Sequence, residues 1–199
     1  VRLEHNQAVV KAVAGDGAEM ATQAAFLVRG KGNTINILAE NAQVITEGKN
    51  AYRAIVNTDV AASAKMIEKG NELKLVAENR GYQFYSFEEA VRFAGNEGTI
   101  KVVNDFELAE VWTVAEGQNI TLDLNGKTLS TAYVAGSTTN HLYAIHNNGE
   151  LTITDSSDAK TGKISARGIF NYGNMTLTSG TINAIDGNGG YGVRNYAGA

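Results

Sequence analysis

Residues 120–124 (ITLDL), 151–154 (LTIT) and 175–178 (MTLT) each alternate apolar and polar side chains. Alternation places every second side chain on one face and predicts short, half-buried strands. In ITLDL it puts Ile120, Leu122 and Leu124 inward and Thr121 and Asp123 outward. Each run is followed by a Gly-containing turn and a second short strand pattern: NGKTLS at 125–130, TGKISA at 161–166 and SGTINA at 179–184. A third pattern, AIHN at 144–147 and GIFN at 168–171, precedes the LTIT and MTLT runs.

These phrases recur at a fixed interval. Ile145, Ile169 and Val193 stand 24 residues apart at each step, as do Asn147, Asn171 and Asn195. Gly149 matches Gly173, Leu151 matches Met175 and Ile153 matches Leu177. A period in the twenties with alternating apolar positions predicts a solenoid of strand–turn–strand coils. One coil cannot bury its own apolar face, and stacking in parallel register supplies the missing cover. The recurring Asn then has a mechanical purpose, since side-chain amides in successive coils can hydrogen-bond along the stack.

Upstream, YSFEEAVRFAG at 85–95 predicts a short helix over 86–94, with Ser86 as N-cap and Glu89 three residues later. Phe87, Ala90, Val91 and Ala94 fall on its apolar face. GTIKVVNDFELAEVWTV at 98–114 supplies the first strands of the stack. Further upstream, NTINIL at 33–38 shares the ELTIT pattern and AIVN at 54–57 matches AIHN and GIFN, with Val28 set against Ile55. One or two earlier coils are expected there. Residues 61–80 read as a partly helical bridge with a possible strand at ELKLVAE, and the first 20 residues stay ambiguous between strand and turn. The organisation expected is a β-rich segment over 1–80 followed by the main stack over 81–199.

ITLDLNGKTLS, AIHNNGELTITDSS and GIFNYGNMTLTSGTI resemble right-handed parallel β-helix segments of large bacterial surface proteins, pectate-lyase-like in fold and often described as adhesins. The resemblance covers about residues 82–199. It implies an all-β fold, a right-handed parallel β-helix solenoid with a short capping helix over its open end, preceded by the smaller β-rich segment. It does not fix a function, because the same fold carries lyases, hydrolases, tailspikes and adhesins.

Composition narrows the classes. The 199 residues hold 17 Lys and Arg against 21 Asp and Glu, a formal charge of −4, which argues against nucleic acid as the main partner. No apolar run reaches the length of a membrane span. Cysteine is absent, so no disulfide, zinc-thiolate or thiol-nucleophile chemistry is available. The chain starts at Val1 and ends inside a repeat, so it reads as an excerpt of a longer protein.

Candidate chemistry is sparse. His141 and His146, five apart, fall on opposite faces of one strand and cannot jointly hold a metal. Asp123 has Thr154 and Thr178 as its counterparts in later coils, so no carboxylate pair or oxygen-rich calcium site is stacked at the repeat interval. DSSDAKTG at 155–162 and DGNGG at 186–190 are turn formers before they are calcium loops. The row Thr121, Thr152 and Thr176, with Asp123, Thr154 and Thr178 beside it, is too irregular for an ice-binding array. No catalytic residues, metal or cofactor are therefore assigned. A second outward row holds His146, Phe170 and Arg194, with Asn148, Tyr172 and Tyr196 alongside. Aromatic and Arg side chains spaced by coils suit stacking on sugar rings or anchoring of a protein.

The reading is a non-catalytic module of a secreted or cell-surface adhesin, monomeric, binding a glycan or host surface protein through those six residues. Two alternatives stay open: a fragment of a β-helical polysaccharide lyase or glycosidase, and a structural spacer.

Overall fold

The computed structural model describes residues 2–3, 9–13, 23–28, 34–37, 43–47, 51–57, 65–68, 71–131, 143–185 and 190–196. The chain divides into two compact units, Val1–Phe93 and Ala94–Ala199. Strands dominate both, and most of the pairings are parallel.

In the second unit each passage of the chain contributes one strand to each of three parallel sheets. The first sheet holds Glu97–Val102, Asn119–Asp123, Glu150–Thr154 and Asn174–Leu177. The second holds Phe106–Leu108, Thr128–Thr131, Lys163–Ala166 and Thr181–Ala184. The third holds Trp112–Val114, Ile145–Asn147, Ile169–Asn171 and Val193–Asn195. The register is the one the repeat predicts: Ile145 pairs with Ile169 and Ile169 with Val193. Apolar columns follow from it, Ile100–Leu122–Ile153–Leu177 in the first sheet and Leu129–Ile164–Ile182 in the second. Ile100, Leu122, Leu129, Ile153 and Ile164 are fully buried, so each strand gains the cover of its neighbours. That cover thins on the last strands, where Leu177 is 46% and Val193 38% exposed.

Asparagine amides run up the third sheet as the repeat requires. Asn147 Nδ2 donates to Asn171 Oδ1 at 2.6 Å, and Asn171 Nδ2 donates to Asn195 Oδ1 at 3.0 Å. Asn147 is fully buried and also donates to the Asn174 carbonyl while accepting the Gly149 N–H. The ladder begins one strand late, because Val114 occupies the equivalent position beneath Asn147. Replacing Asn171 with Leu is expected to cost about 2 kcal/mol, because it takes one acceptor from the buried Asn147 amide and breaks the bond to Asn195. Urea unfolding followed by circular dichroism measures it.

Two carboxylates hold the corner after the first sheet. Asp123, expected outward, is buried instead and accepts the N–H groups of Asn125 and Ser156. The pleat places it outward only while the strand stays straight. Here the chain turns at Asn125 and Gly126, both at positive φ, and folds the carboxylate back onto backbone donors. Asp155 does more. It is fully buried and accepts from Gly126 N, Gly162 N, Ser157 N and Ser157 Oγ, tying its own loop to the preceding turn.

The first unit repeats the parallel scheme in its backbone. Arg2–Leu3 pairs with Thr34–Ile37, which pairs with Lys65–Glu68; Val9–Val13 pairs with Gln43–Glu47; Gln23–Val28 pairs with Ala51–Asn57. The strands expected at NTINIL and AIVN are present. Their register differs from the expectation: Gln23 and Ala24 already pair with Ala51 and Tyr52, 28 residues on, and a bulge between Ala24 and Phe26 adds one more, so Phe26 pairs with Ile55 and Val28 with Asn57. A bulge inserts one residue into one strand, which interval counting cannot see. The helical bridge expected over 61–80 is contradicted where it is described, since Lys65–Glu68, Asn71–Leu73 and Ala77–Asn79 are strands. Ala, Lys and Glu favour helix, but intrinsic propensity is a weak determinant and strand partners override it.

Ala77–Asn79 and Tyr82–Phe84 form an antiparallel hairpin closed by Arg80 and Gly81, both at positive φ, the two-residue turn that hairpin twist favours. The helix runs Phe87–Ala94, with the Ser86 hydroxyl accepting the Glu89 N–H at its start. Phe87, Ala90 and Ala94 are buried as its amphipathic pattern requires. Phe93 packs on the hairpin, with ring centroids 4.7 Å from Tyr82 and 5.3 Å from Phe84.

Candidate functional site

The third sheet carries the densest group of chemically useful side chains. Its register places His146 against Phe170 and Phe170 against Arg194. Just beyond each strand the chain donates one more hydrogen bond to the passage before it: Asn148 N to Val114 O, Tyr172 N to Asn147 O and Tyr196 N to Asn171 O. Those bonds fix Asn148, Tyr172 and Tyr196 as a second row beside the first. Parallel strands lie about 4.8 Å apart, close to the spacing of stacked rings.

The rings fill that spacing. Tyr172 and Tyr196 stack with centroids 4.3 Å apart and planes 12° from parallel. Phe170 lies 5.1 Å from His146 and meets Tyr196 edge-on at 5.5 Å. The Arg194 guanidinium sits over Tyr196 at 5.1 Å, Tyr191 at 5.5 Å and Phe170 at 6.0 Å, all within cation–π range. Five of the six expected residues are thus brought together. Asn148 is exposed in its row but takes no part in the ring contacts.

Tyr143, Arg167 and Tyr191 belong to the same group, and residue counting overlooked them. Phe170 stacks on Tyr143 with centroids only 3.5 Å apart, and Arg167 lies 5.2 Å over the Tyr143 ring. The signal was available: the three residues stand two places before Ile145, Ile169 and Val193, at the same interval of 24. They precede the regular strands, so strand alternation did not assign them to a face.

Accessibility separates support from surface. Tyr143 is buried, His146 and Phe170 are half-buried, and Tyr172 and Tyr191 are 43% and 49% exposed. Arg194 is exposed, and no carboxylate of the described residues lies within ion-pair distance of it. Burial pushes the Tyr172 phenol above its ordinary value, and the hydrogen bond and charge of Tyr196 act in the same direction against the opposing pull of Arg194. The phenol is therefore protonated at neutral pH.

Burial lowers the His146 pKa, so the imidazole is neutral at neutral pH. A depressed native pKa means that the unfolded chain takes up the proton first, so stability falls as pH drops through the ordinary imidazole range. Unfolding midpoints from pH 8 to pH 5 should decline more steeply for the unaltered chain than for His146→Gln.

The other candidates are less developed. Thr99 extends the threonine row, in register with Thr121, Thr152 and Thr176. The neighbouring column holds Lys101, a buried Asp123 and Thr154, so the face is not a regular array. A cleft of about 420 Å³ lies along the last strands, lined by Asn171, Gly173, Asn174, Met175, Leu177, Val193 and Asn195. Among the described residues no three His, Asp or Glu side chains gather in one place. His141 and residues 186–189 of the DGNGG turn lie outside the described residues. No helix among the described residues is long and apolar enough to cross a membrane. No protein-family profile, curated protein or solved structure matches the chain.

Proposed function

We propose that this chain is a non-catalytic binding module of a secreted or surface-attached bacterial adhesin. In this reading the three parallel sheets are the walls of a right-handed parallel β-helix, and the third wall engages a glycan or a host surface protein. The observation that carries the reading is the exposed Arg194 set among Phe170, Tyr191 and Tyr196, with the Tyr172–Tyr196 stack beside it. Aromatic and Arg side chains dominate binding energy at protein surfaces, because they present large contact area with little entropy to lose. Here the half-buried Phe170 and buried Tyr143 hold the exposed members in place, so the surface is organised before any ligand arrives.

The double variant Tyr172→Ala/Tyr191→Ala tests it. Both side chains are exposed, so the circular dichroism spectrum should be unchanged. Binding on glycan arrays and to immobilised host extracellular proteins should fall by about tenfold or more, since each lost aromatic contact is worth about 1 kcal/mol or more. Undiminished binding by a folded variant overturns the reading.

A further inference from the structure

Arg194 is a charged member of the cluster for which the described residues supply no ion-pair partner. Its guanidinium carbon lies within cation–π range of three ring centroids, contacts that are not hydrogen bonds and use none of its N–H donors as such. No hydrogen bond or ion pair within the described residues takes those donors. Asp155 and Asp123, the buried carboxylates among the described residues of this unit, are held by backbone donors at the corner after the first sheet. An exposed cation with no counter-ion among the described residues, in a chain of net charge −4, marks a place where negative charge is favoured locally. Next to it stand two exposed phenol rings, Tyr172 and Tyr191, whose faces and hydroxyls match the C–H faces and hydroxyls of a pyranose ring.

We infer that the ligand of this face is an acidic saccharide, with its carboxylate or sulfate oxygens taken in the plane of the Arg194 guanidinium and its sugar ring laid against Tyr191 and Tyr172. The inference rests on the binding role given to this cluster above and narrows its ligand to one chemical class. The forked Arg geometry accepts two oxygens of one acid group, which a Lys ammonium does not reproduce. Arg194 thus sets the class of sugar, and the tyrosines supply contact area.

Calorimetric titration of the full chain with five probes tests this: 3′-sialyllactose and trigalacturonate as carboxylates, a heparin tetrasaccharide as sulfate ester, and lactose and maltotetraose as neutral sugars. At least one acidic probe should bind, about tenfold or more tighter than either neutral sugar, and its affinity should fall with added salt. The acidic arms identify which oxyanion is used. Arg194→Gln should lower that affinity by about tenfold or more, with Arg194→Lys in between. Methyl esterification of the carboxylate probe, or desulfation of the heparin probe, should have the effect of Arg194→Gln on unaltered protein, which removes any question of folding. Equal affinity for neutral and acidic sugars, or no effect of Arg194→Gln, overturns the acidic assignment and leaves the binding role standing. Binding to host protein with no saccharide bound does the same. If neither saccharides nor host proteins bind, both fail.

Discussion

Gly149→Ala is expected to destabilise the second unit by about 3 kcal/mol, among the larger effects of adding a single methyl group. A Cβ at Gly149 would stand 2.3 Å from the Ala115 carbonyl oxygen and 2.6 Å from that of Gln118, both backbone atoms of the preceding passage. Gly173 repeats the situation one strand later, its Cβ falling 2.2 Å from the Gly149 oxygen. Backbone cannot step aside as a side-chain tip can, because the strands on either side are locked by their ladders. The methyl group therefore forces successive passages apart, and the neighbouring Asn147–Asn171 bond is stretched with them. Thermal unfolding should show a midpoint roughly 10–20 °C lower for a unit of this size. Gly117→Ala is the control. Gly117 has positive φ, but a Cβ there meets nothing within 4 Å, so only a backbone penalty of about 1 kcal/mol applies. If Gly149→Ala costs no more than Gly117→Ala, close approach is not what the repeated glycine serves.

Asp155→Ala is expected to cost about 3 kcal/mol, since it orphans the buried Gly162 N–H and the half-buried N–H groups of Gly126 and Ser157 together with the Ser157 hydroxyl, at about 1 kcal/mol each. Its carboxylate accepts from Gly126 at 2.8 Å, Gly162 at 2.6 Å, and Ser157 through both N and Oγ at 3.0 and 2.7 Å. Asp155→Asn should recover only part of the loss, because an amide nitrogen would then face a donor. The same group sets an acid limb. Burial by itself raises the Asp155 pKa, but the hydrogen bonds from Ser157, Gly162 and Gly126 outweigh it and hold the carboxyl below the ordinary aspartate value. With the native pKa depressed, the stabilisation is complete above the ordinary aspartate value and is lost as pH falls through the lowered one. Asp155→Ala should accordingly flatten the decline in stability at low pH. An unchanged acid limb would remove Asp155 from that role.

The cluster on the third sheet was partly legible from residue order alone. Phe170, Arg194, Tyr172 and Tyr196 follow from the interval of 24, since equal spacing between parallel strands means vertical neighbours. Tyr143, Arg167 and Tyr191 obey the same interval but lie outside the alternating run, where the chain bends and period-two reasoning assigns no face. Asp155 shows the opposite failure. In DSSDAKTG it reads as a surface turn former, and only the approach of Gly126 from the preceding passage turns it into a buried anchor.

What the residue order determined by itself is the parallel register: alternation fixes which side chains share a face, and equal intervals fix which of them stack. The structure alone decided where the polar groups at the corners went. Their fate depends on which backbone N–H arrives from a neighbouring passage, a distance in space that no local pattern along the chain encodes. The bulge at Ala24–Phe26, the inward turn of Asp123 and the burial of Asp155 all belong to that second kind. So does the placing of Arg194 among rings, on which the binding role proposed above rests.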